Sequence, residues 1–478
     1  MNHILKLLTI LTFLALLLPG VFRPGIFMDG LIYSTVAHNM ANGVGTFWQP
    51  SFSATVMSSF HEHPPLAMGI QSLFFRLFGD AFYVEKVYSF LTALITAYLI
   101  IILWKKSTPQ KHHTLSWWPV FLWITVQPVF WSYNNNMLEN TMGLFSLLAV
   151  ILLFESLKRD PTRQVIYHIL ASASLIMAFL SKGFPGLFPL GFYFCYYLAY
   201  HREYDVGRML RSTLQLIAVF VTLTFLFLFW NQPALQSLAD YMQAQLFPAL
   251  AGESMEKPWY HIMKALAMQI TGTIGVSLLI LLLHYRMRIN GIIKDAETLR
   301  GFFLFLMIGL SATAPMMVSP KQLTFYIVPS IPYFGLAFGY LTAHILHSLN
   351  ERVQIGRKWN FIFKLICYVA ILAIVAVSIF KAGQPVREKS LISDVEKMGD
   401  VVPEGTILSA SPSLHNHFSL MGYLHRFYFI SIDASEENQY PYYLTVRGEQ
   451  LPQGYHRLDI ELEGFEIAYS DKMNRILH

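Results

Sequence analysis

Ser59-Phe60-His61-Glu62-His63-Pro64-Pro65-Leu66-Ala67-Met68-Gly69 lies in the first long polar-bearing gap of a very hydrophobic chain. Pro64 and Pro65 fix φ and remove two backbone donors, so the residues before them are held extended. The apolar run Leu66–Phe78 that follows has helical promise. Three ionisable or metal-capable side chains, His61, Glu62 and His63, therefore stand on a stiff lead-in to a helix. The remaining residues that look chemical can be placed on the same side of a membrane as this cluster.

The surrounding composition says why a membrane is involved. Of 478 residues, 54% are hydrophobic and 13% charged. That is too apolar for an ordinary soluble enzyme. Repeated apolar stretches of about 17–25 residues, each able to cross a bilayer as a helix, account for it. The net charge of +5 carries no basic patch with interleaved aromatics, so nucleic acid is not an expected partner. Cys195 and Cys367 both sit in apolar runs and read as helix-packing residues rather than a disulfide or metal pair.

Eleven spans are expected: Ile4–Phe22, Glu85–Trp104, Trp117–Tyr133, Asn140–Leu157, Val165–Leu180, Phe184–Tyr200, Leu214–Trp230, Leu266–His284, Phe302–Val318, Leu323–Leu346 and Phe361–Phe380. The first has no small-x-small cleavage site after it and reads as a retained span rather than a signal peptide. With the N-terminus in the cytoplasm, the inner loops carry seventeen Lys and Arg residues. These are Lys105, Lys106 and Lys111; Lys158, Arg159 and Arg163; Arg202, Arg208 and Arg211; Arg286, Arg288, Lys294 and Arg300; and Arg352, Arg357, Lys358 and Lys364. The outer loops between spans carry seven: Arg23, Arg76, Lys86, Lys182, Lys257, Lys264 and Lys321. That asymmetry sets the orientation. An odd number of spans then leaves the tail outside.

The outer face receives residues 28–84, a loop too long to be a mere connection. Within it, Leu31–Asn42 reads as a short helix lying at the membrane interface, and Trp48 suits headgroup depth. Residues 1–380 form the transmembrane part. Residues 381–478 are more charged and read as a small soluble α+β domain, with strand-like runs Thr406–Ala410, Phe427–Ile432 and Arg457–Leu462.

The candidate chemistry lies at outer span ends. Asp29, just after the first span, reads equally as a general base or as a helix N-cap. His61, Glu62 and His63 read as a divalent-cation or phosphate cluster, or as a hydrogen-bonded loop; His-x-His alone lacks a third ligand at fixed spacing. Glu139 opens the fourth span as a functional carboxylate or a favourable helix N-terminal charge. Lys182 and Lys321 sit beside glycine or proline at helix breaks, where a lysine and freed backbone N–H groups suit a phosphate. The alternative for both is snorkelling. His261 is a further outer-face candidate. No glycine-rich phosphate loop, dinucleotide fingerprint or cytosolic domain is present, so an outward-facing enzyme needs a donor other than a nucleotide. A polyprenyl-phosphate sugar meets that need.

As a set, these residues resemble the GT-C membrane glycosyltransferases of the protein O-mannosyltransferase and lipid A aminoarabinose transferase type (PMT-like). The matching motifs are Phe27-Met28-Asp29-Gly30, Glu62-His63-Pro64-Pro65-Leu66, Ser181-Lys182-Gly183-Phe184-Pro185-Gly186, and Pro320-Lys321 through Tyr326, Pro329 and Pro332. The resemblance covers about residues 1–380. It implies a polytopic α-helical GT-C fold and inverting transfer of a sugar from a polyprenyl-phosphate donor to a lipid, glycan or protein acceptor, outside a bacterial inner membrane. Asp29 would orient or deprotonate the acceptor. Glu62 and Glu139 would support it or share a divalent cation. Lys182 and Lys321 would hold the carrier phosphate, with His63 and Tyr326 also binding substrate. Three positions depart from the family pattern: Gly30 where a second acidic residue is common, His63 where the aminoarabinose type has lysine, and Glu139 where aspartate is common. A lipid or sugar transporter would place ionisable groups near the midplane and show repeated halves. A non-catalytic assembly protein with a degenerate site is the other reading.

Overall fold

The computed structural model describes residues 2–250, 257–286, 296–353, 356–435 and 439–470. Arg288 and Lys294 of the fourth inner loop, and the last eight residues of the tail, lie outside them. The helices are, in order, α1 (Asn2–Val21), α2 (Met28–Ala41), α3 (Leu66–Phe78), α4 (Val84–Ser107), α5 (Trp117–Ile124), α6 (Gln127–Asn134), α7 (Leu138–Ser156), α8 (Pro161–Lys182), α9 (Phe192–Tyr200), α10 (Val206–Trp230), α11 (Gln232–Tyr241), α12 (Phe247–Leu250), α13 (His261–Gln269), α14 (Thr271–Arg286), α15 (Ala296–Thr313), α16 (Ile331–Arg352), α17 (Arg357–Phe380), α18 (Lys389–Val401) and α19 (Phe418–Tyr428). Among the described residues, eight helical segments are long and apolar enough to cross a membrane, or nine if α13 and α14, bent by 44°, count as one span.

Each of the eleven expected spans has a helical counterpart, but the third, sixth and eighth are not single long helices, the eighth being the bent pair α13 and α14, and the tenth starts as a 3-10 turn, Thr324–Ser330. The third is the pair α5 and α6, interrupted at Thr125–Val126 ahead of Pro128. The sixth begins as a 3-10 turn, Phe184–Gly191, before α9. Pro185 and Pro189 withhold the backbone donors that a regular helix needs there. The short pieces are held by side chains instead. The Trp118 indole donates to Thr342 Oγ1 of α16 at 2.7 Å, and the Trp104 indole to the His112 carbonyl at 2.9 Å.

The chain divides into two units. The first is Met1–Val21, Ser89–Asn134 and Leu138–Phe380. Its core is built on Trp104, Trp123, Tyr193, Tyr333 and Phe334, all buried, while much of α10 and α17 is exposed, as befits lipid-facing helices. Both cysteines are free and buried.

The second unit is Phe22–Tyr88, Asn135–Met137 and Lys381–His478. It carries a five-stranded sheet of β1 (Ile407–Ala410), β2 (Ser431–Asp433), β3 (Tyr442–Val446), β4 (Tyr455–Arg457) and β5 (Phe465–Ser470), in the order β2-β1-β3-β5-β4. β1 runs parallel to β2 and β3; β5 is antiparallel to β3 and β4. Two expected strands are displaced. Phe427 and Tyr428 end α19, which closes on Phe429 at φ 53°, so β2 starts only at Ser431. The run from Arg457 contributes only its first residue to β4.

The expected interfacial helix is also different. It starts at Met28, and Gly30 through Met40 are all buried. A helix buried on every side belongs to a protein core, not to a lipid surface. It packs against α3 and α19. Polar residues on it are paired within this core. His38, 1% exposed, bonds Asp80 Oδ1 at 2.9 Å. Arg426, fully buried, bonds Glu85 at 3.2 Å and the Asp80 and Ala81 carbonyls at 3.1 and 3.2 Å.

Burial, helped by Arg426 and opposed by Asp80, pushes the His38 pKa down from 6.5 to about 4. Burial does the same to His425. The unfolded chain takes up these protons near 6.5 and the folded chain only near 4, so stability is full above pH 6.5 and falls as pH drops through that window. A full shift of this size is worth about 3 kcal/mol per histidine. Thermal unfolding followed between pH 7 and 4.5 should show the loss, and His38→Gln with His425→Gln should flatten it. A flat profile in the unchanged protein would refute the assignment.

Candidate active site

In the first unit the decisive residues are the two ends of a helical hairpin. α7 and α8 are joined by a short turn and run side by side, so the start of α7 meets the end of α8. Glu139 is the second residue of α7, where the helix dipole favours an anion. Lys182 is the last residue of α8, where a cation is favoured. Lys182 Nζ donates to Glu139 Oε1 at 2.6 Å, with side-chain exposures of 8% and 1%. The same ammonium lies 4.9 Å from the centre of the Tyr326 ring and 5.7 Å from that of Phe325. Phe325 in turn stacks on Trp131, with centroids 5.5 Å apart.

The turn that ends α8 depends on Gly183. Its φ of +95° is costly for any side chain, and a Cβ there would stand 2.1 Å from the Tyr241 hydroxyl. The break at Lys182-Gly183 is thus fixed both by backbone conformation and by what packs on it. Glu139, Lys182 and Tyr326 are brought together; Phe325 and Trp131 complete the group and were hidden in apolar runs.

Lys321 is exposed, in the turn between Ser319 and Leu323, and Ser319 Oγ donates to its carbonyl at 3.0 Å. The Lys257 side chain donates to the carbonyl of Gln322 in the same turn at 3.4 Å. Gln322 Oε1 accepts from the Ile262 N–H at 2.8 Å, which ties the start of α13, and so His261, to this turn. Lys321 thus lies on this turn, Lys257 bonds it, and His261 precedes the residue whose N–H is tied to it. Lys257 counted in the sequence only as one of the outer basic residues.

In the second unit, Asp29 sits in the first turn of α2, partly buried. It is not the N-cap: that position is Phe27, which makes no side-chain cap and whose N–H donates to Asn135 Oδ1 at 2.7 Å. His63 packs edge-on against Tyr33, with ring centres 5.6 Å apart. Tyr33 stands four residues after Asp29, on the same face of α2. Glu62 is exposed, and His61 Nε2 lies 2.7 Å from Ser59 Oγ. Among the described residues no group of three or more His, Cys, Asp or Glu side chains is placed to hold a metal ion, so His61, Glu62 and His63 do not converge as a ligand set. Pro64 and Pro65 do lead into the expected helix, α3, with Pro65 as its N-cap.

Gly30 explains one departure from the family pattern. A Cβ at this position would lie 1.8 Å from the Asn135 carbonyl oxygen and 3.0 Å from its carbon. A second acidic residue beside Asp29 cannot fit while that backbone contact stands.

Residues 62–230 match the family model described as dolichyl-phosphate-mannose-protein mannosyltransferase. The matched region holds Glu62, Glu139 and Lys182 and begins after Asp29. The crystal structure of ArnT from Cupriavidus metallidurans in the apo state superposes with a TM-score of 0.61 at 13% identity, covering 98% of this chain and 97% of that one. The structure of ArnT from the same organism bound to undecaprenyl phosphate gives 0.59 at 12% identity, covering 96% of each chain. The chain has the polytopic GT-C fold of these structures. It is an integral membrane protein. The apo oligosaccharyltransferase of Archaeoglobus fulgidus shares the fold at a TM-score of 0.51 and 12% identity, over 92% of this chain and 65% of that one. No curated protein sequence matches the chain.

Proposed function

We propose that the chain is a glycosyltransferase that moves a hexosyl or pentosyl group from a polyprenyl-phosphate carrier to a lipid, glycan or protein acceptor. The observation that carries this reading is Lys182: a buried lysine beside a glycine break, paired with one carboxylate and walled by Tyr326 and Phe325. A buried ammonium at a helix end is suited to a phosphate, and the aromatic wall to a lipid tail or a sugar face. The fold shared with an ArnT that has been crystallised with undecaprenyl phosphate supports the same class of donor.

In this reading the acceptor oxygen attacks the anomeric carbon. The bond from that carbon to the phosphate oxygen breaks with inversion, and the polyprenyl phosphate leaves with the electron pair. Asp29 takes the acceptor proton. Lys182 and the lysines of the 319–323 turn meet the charge that builds on the phosphate, the electrostatic stabilisation on which such transfer depends. In the same reading His63, Tyr326 and His261 bind substrate, and Glu62 and Glu139 are catalytic carboxylates in support of Asp29. The site faces away from the cytoplasm, a placement that rests on the seventeen-to-seven distribution of Lys and Arg, and a bacterial inner membrane is what the family resemblance implies.

The test is release of free polyprenyl phosphate by the purified protein from polyprenyl-phosphate hexoses and pentoses, in the presence of an envelope extract. Release coupled to sugar incorporation supports the proposal; donor left intact across the whole set refutes it. Sidedness is read in sealed cells. A membrane-impermeant thiol reagent should reach a cysteine placed at exposed Ser435 and not one at exposed Lys111.

A further inference from the structure

The second unit contains a cleft of about 290 Å³ that the transfer reaction described above does not use. Its walls come from several separate places in the chain. Tyr423, Phe427 and Tyr428 lie on α19, Ile392, Val395 and Glu396 on α18, and Pro24, Asp80 and Phe82 on the segments flanking α2 and α3. The Tyr423 and Phe427 rings are parallel to within 3°, one helical turn apart.

The wall is fixed before any ligand arrives. The Tyr423 hydroxyl donates to Glu388 Oε2 at 3.1 Å and accepts from the Ile26 N–H at 3.3 Å. Asp80 is held from behind. His38 Nε2 bonds its carboxylate, and the Arg426 guanidinium bonds its carbonyl. Because a carboxylate only accepts, Nε2 carries the proton, and His38 is a neutral donor at pH 7. The Asp80 side chain is 64% exposed.

This lining selects its ligand. Asp80 and Glu396 are its charged residues and no lysine or arginine lines it, so a phosphate, sulfate or carboxylate would meet repulsion. A purely apolar ligand would cover carboxylates without pairing them, which is costly. A cation is disfavoured on the Asp80 side by buried Arg426, which packs 5.2 Å from the Phe427 ring. A saccharide offers what remains: C–H faces for the aromatic rings and hydroxyl donors for the two carboxylates. We propose that this cleft is a saccharide-binding site, with Phe427 and Tyr428 as the stacking surface and Asp80 and Glu396 as the hydroxyl acceptors. Binding there requires no donor lipid and stands or falls separately from the transfer reaction.

The experiment uses the full chain in lipid nanodiscs. Maltose, cellobiose, mannobiose and diacetylchitobiose are offered, and binding is read by saturation-transfer NMR and titration calorimetry. At least one should bind, and Glu396→Gln and Phe427→Ala should each weaken it by about tenfold or more. Glu396 is exposed, so its variant folds even if the Phe427 change disturbs α19. The proposal is overturned if none of the four binds, if binding is indifferent to Glu396→Gln, or if an arginine ester displaces the saccharide at lower concentration than a competing sugar.

Discussion

Asp29→Asn is expected to lower sugar transfer by about 10²–10⁴, the range that a positioned general base contributes. The substitution keeps the size of the side chain and removes its charge. Asparagine keeps hydrogen-bonding capacity at this position. Asp29 does not cap α2, since Phe27 holds that position, and the attraction of a carboxylate to a helix N-terminus that the change removes is worth about 0.3–1 kcal/mol. The protein should therefore still fold, bind donor and melt within a few degrees of the unchanged chain. The effect should lie in kcat and in the acidic limb of the pH profile, because the group whose deprotonation sets that limb is gone. A structural role would move the melting temperature and leave the pH profile in place. Normal turnover in Asp29→Asn would remove this residue from the chemistry and leave the lysine-rich turn and the Lys182 pair without a base.

Which features were legible in the sequence follows from the range of the interactions that make them. Long apolar runs such as Leu7–Leu18 and Phe361–Phe380 need no partner to be recognised, and both are helical over their full length. The Pro-Pro lead-in to α3 is equally local. The third and sixth spans show the limit. Pro128, Pro185 and Pro189 were visible, yet apolar length alone hides that such segments break into short helices held by Trp118, Thr342 and their neighbours. α2 folds into the core because its polar residues, His38 and Asn39, bond partners outside the helix: Asp80 for the first, the Ser51 and Phe52 carbonyls for the second. A pattern read within fourteen residues cannot see those partners. Phe427 and Tyr428 looked strand-like because aromatic residues favour strands, but packing of α19 on α2 overrides that preference. The approach of Asn135 to Gly30 is a long-range contact too, so a position that looked like the loss of a family residue is a steric requirement of this backbone. The pairing of Glu139 with Lys182 could have been anticipated. Two spans joined by a short loop are antiparallel neighbours, and the first residue of one then faces the last of the other.

That pairing changes what a lysine substitution should do. A phosphate-binding lysine that waits in water loses only its ligand when it is replaced. Lys182 does not wait in water: it is 8% exposed and bonded to a carboxylate that is 1% exposed. Lys182→Met therefore takes from the buried Glu139 the lysine it is bonded to, and breaking a buried pair from one side costs about 3–5 kcal/mol. A fall in activity of this variant alone would say nothing about phosphate. The double variant Lys182→Met with Glu139→Gln separates the two effects, because it removes both charges of the pair together. Its melting temperature should return close to that of the unchanged protein, while its KM for the polyprenyl-phosphate sugar stays raised by about tenfold or more. Glu139→Gln alone should do the opposite to the donor. It leaves Lys182 a buried cation with no carboxylate, so the protein melts earlier but binds donor phosphate more tightly. If the double variant recovers stability and donor affinity together, Lys182 is a strut between α7 and α8, and the phosphate must be met by the Lys257 and Lys321 turn instead.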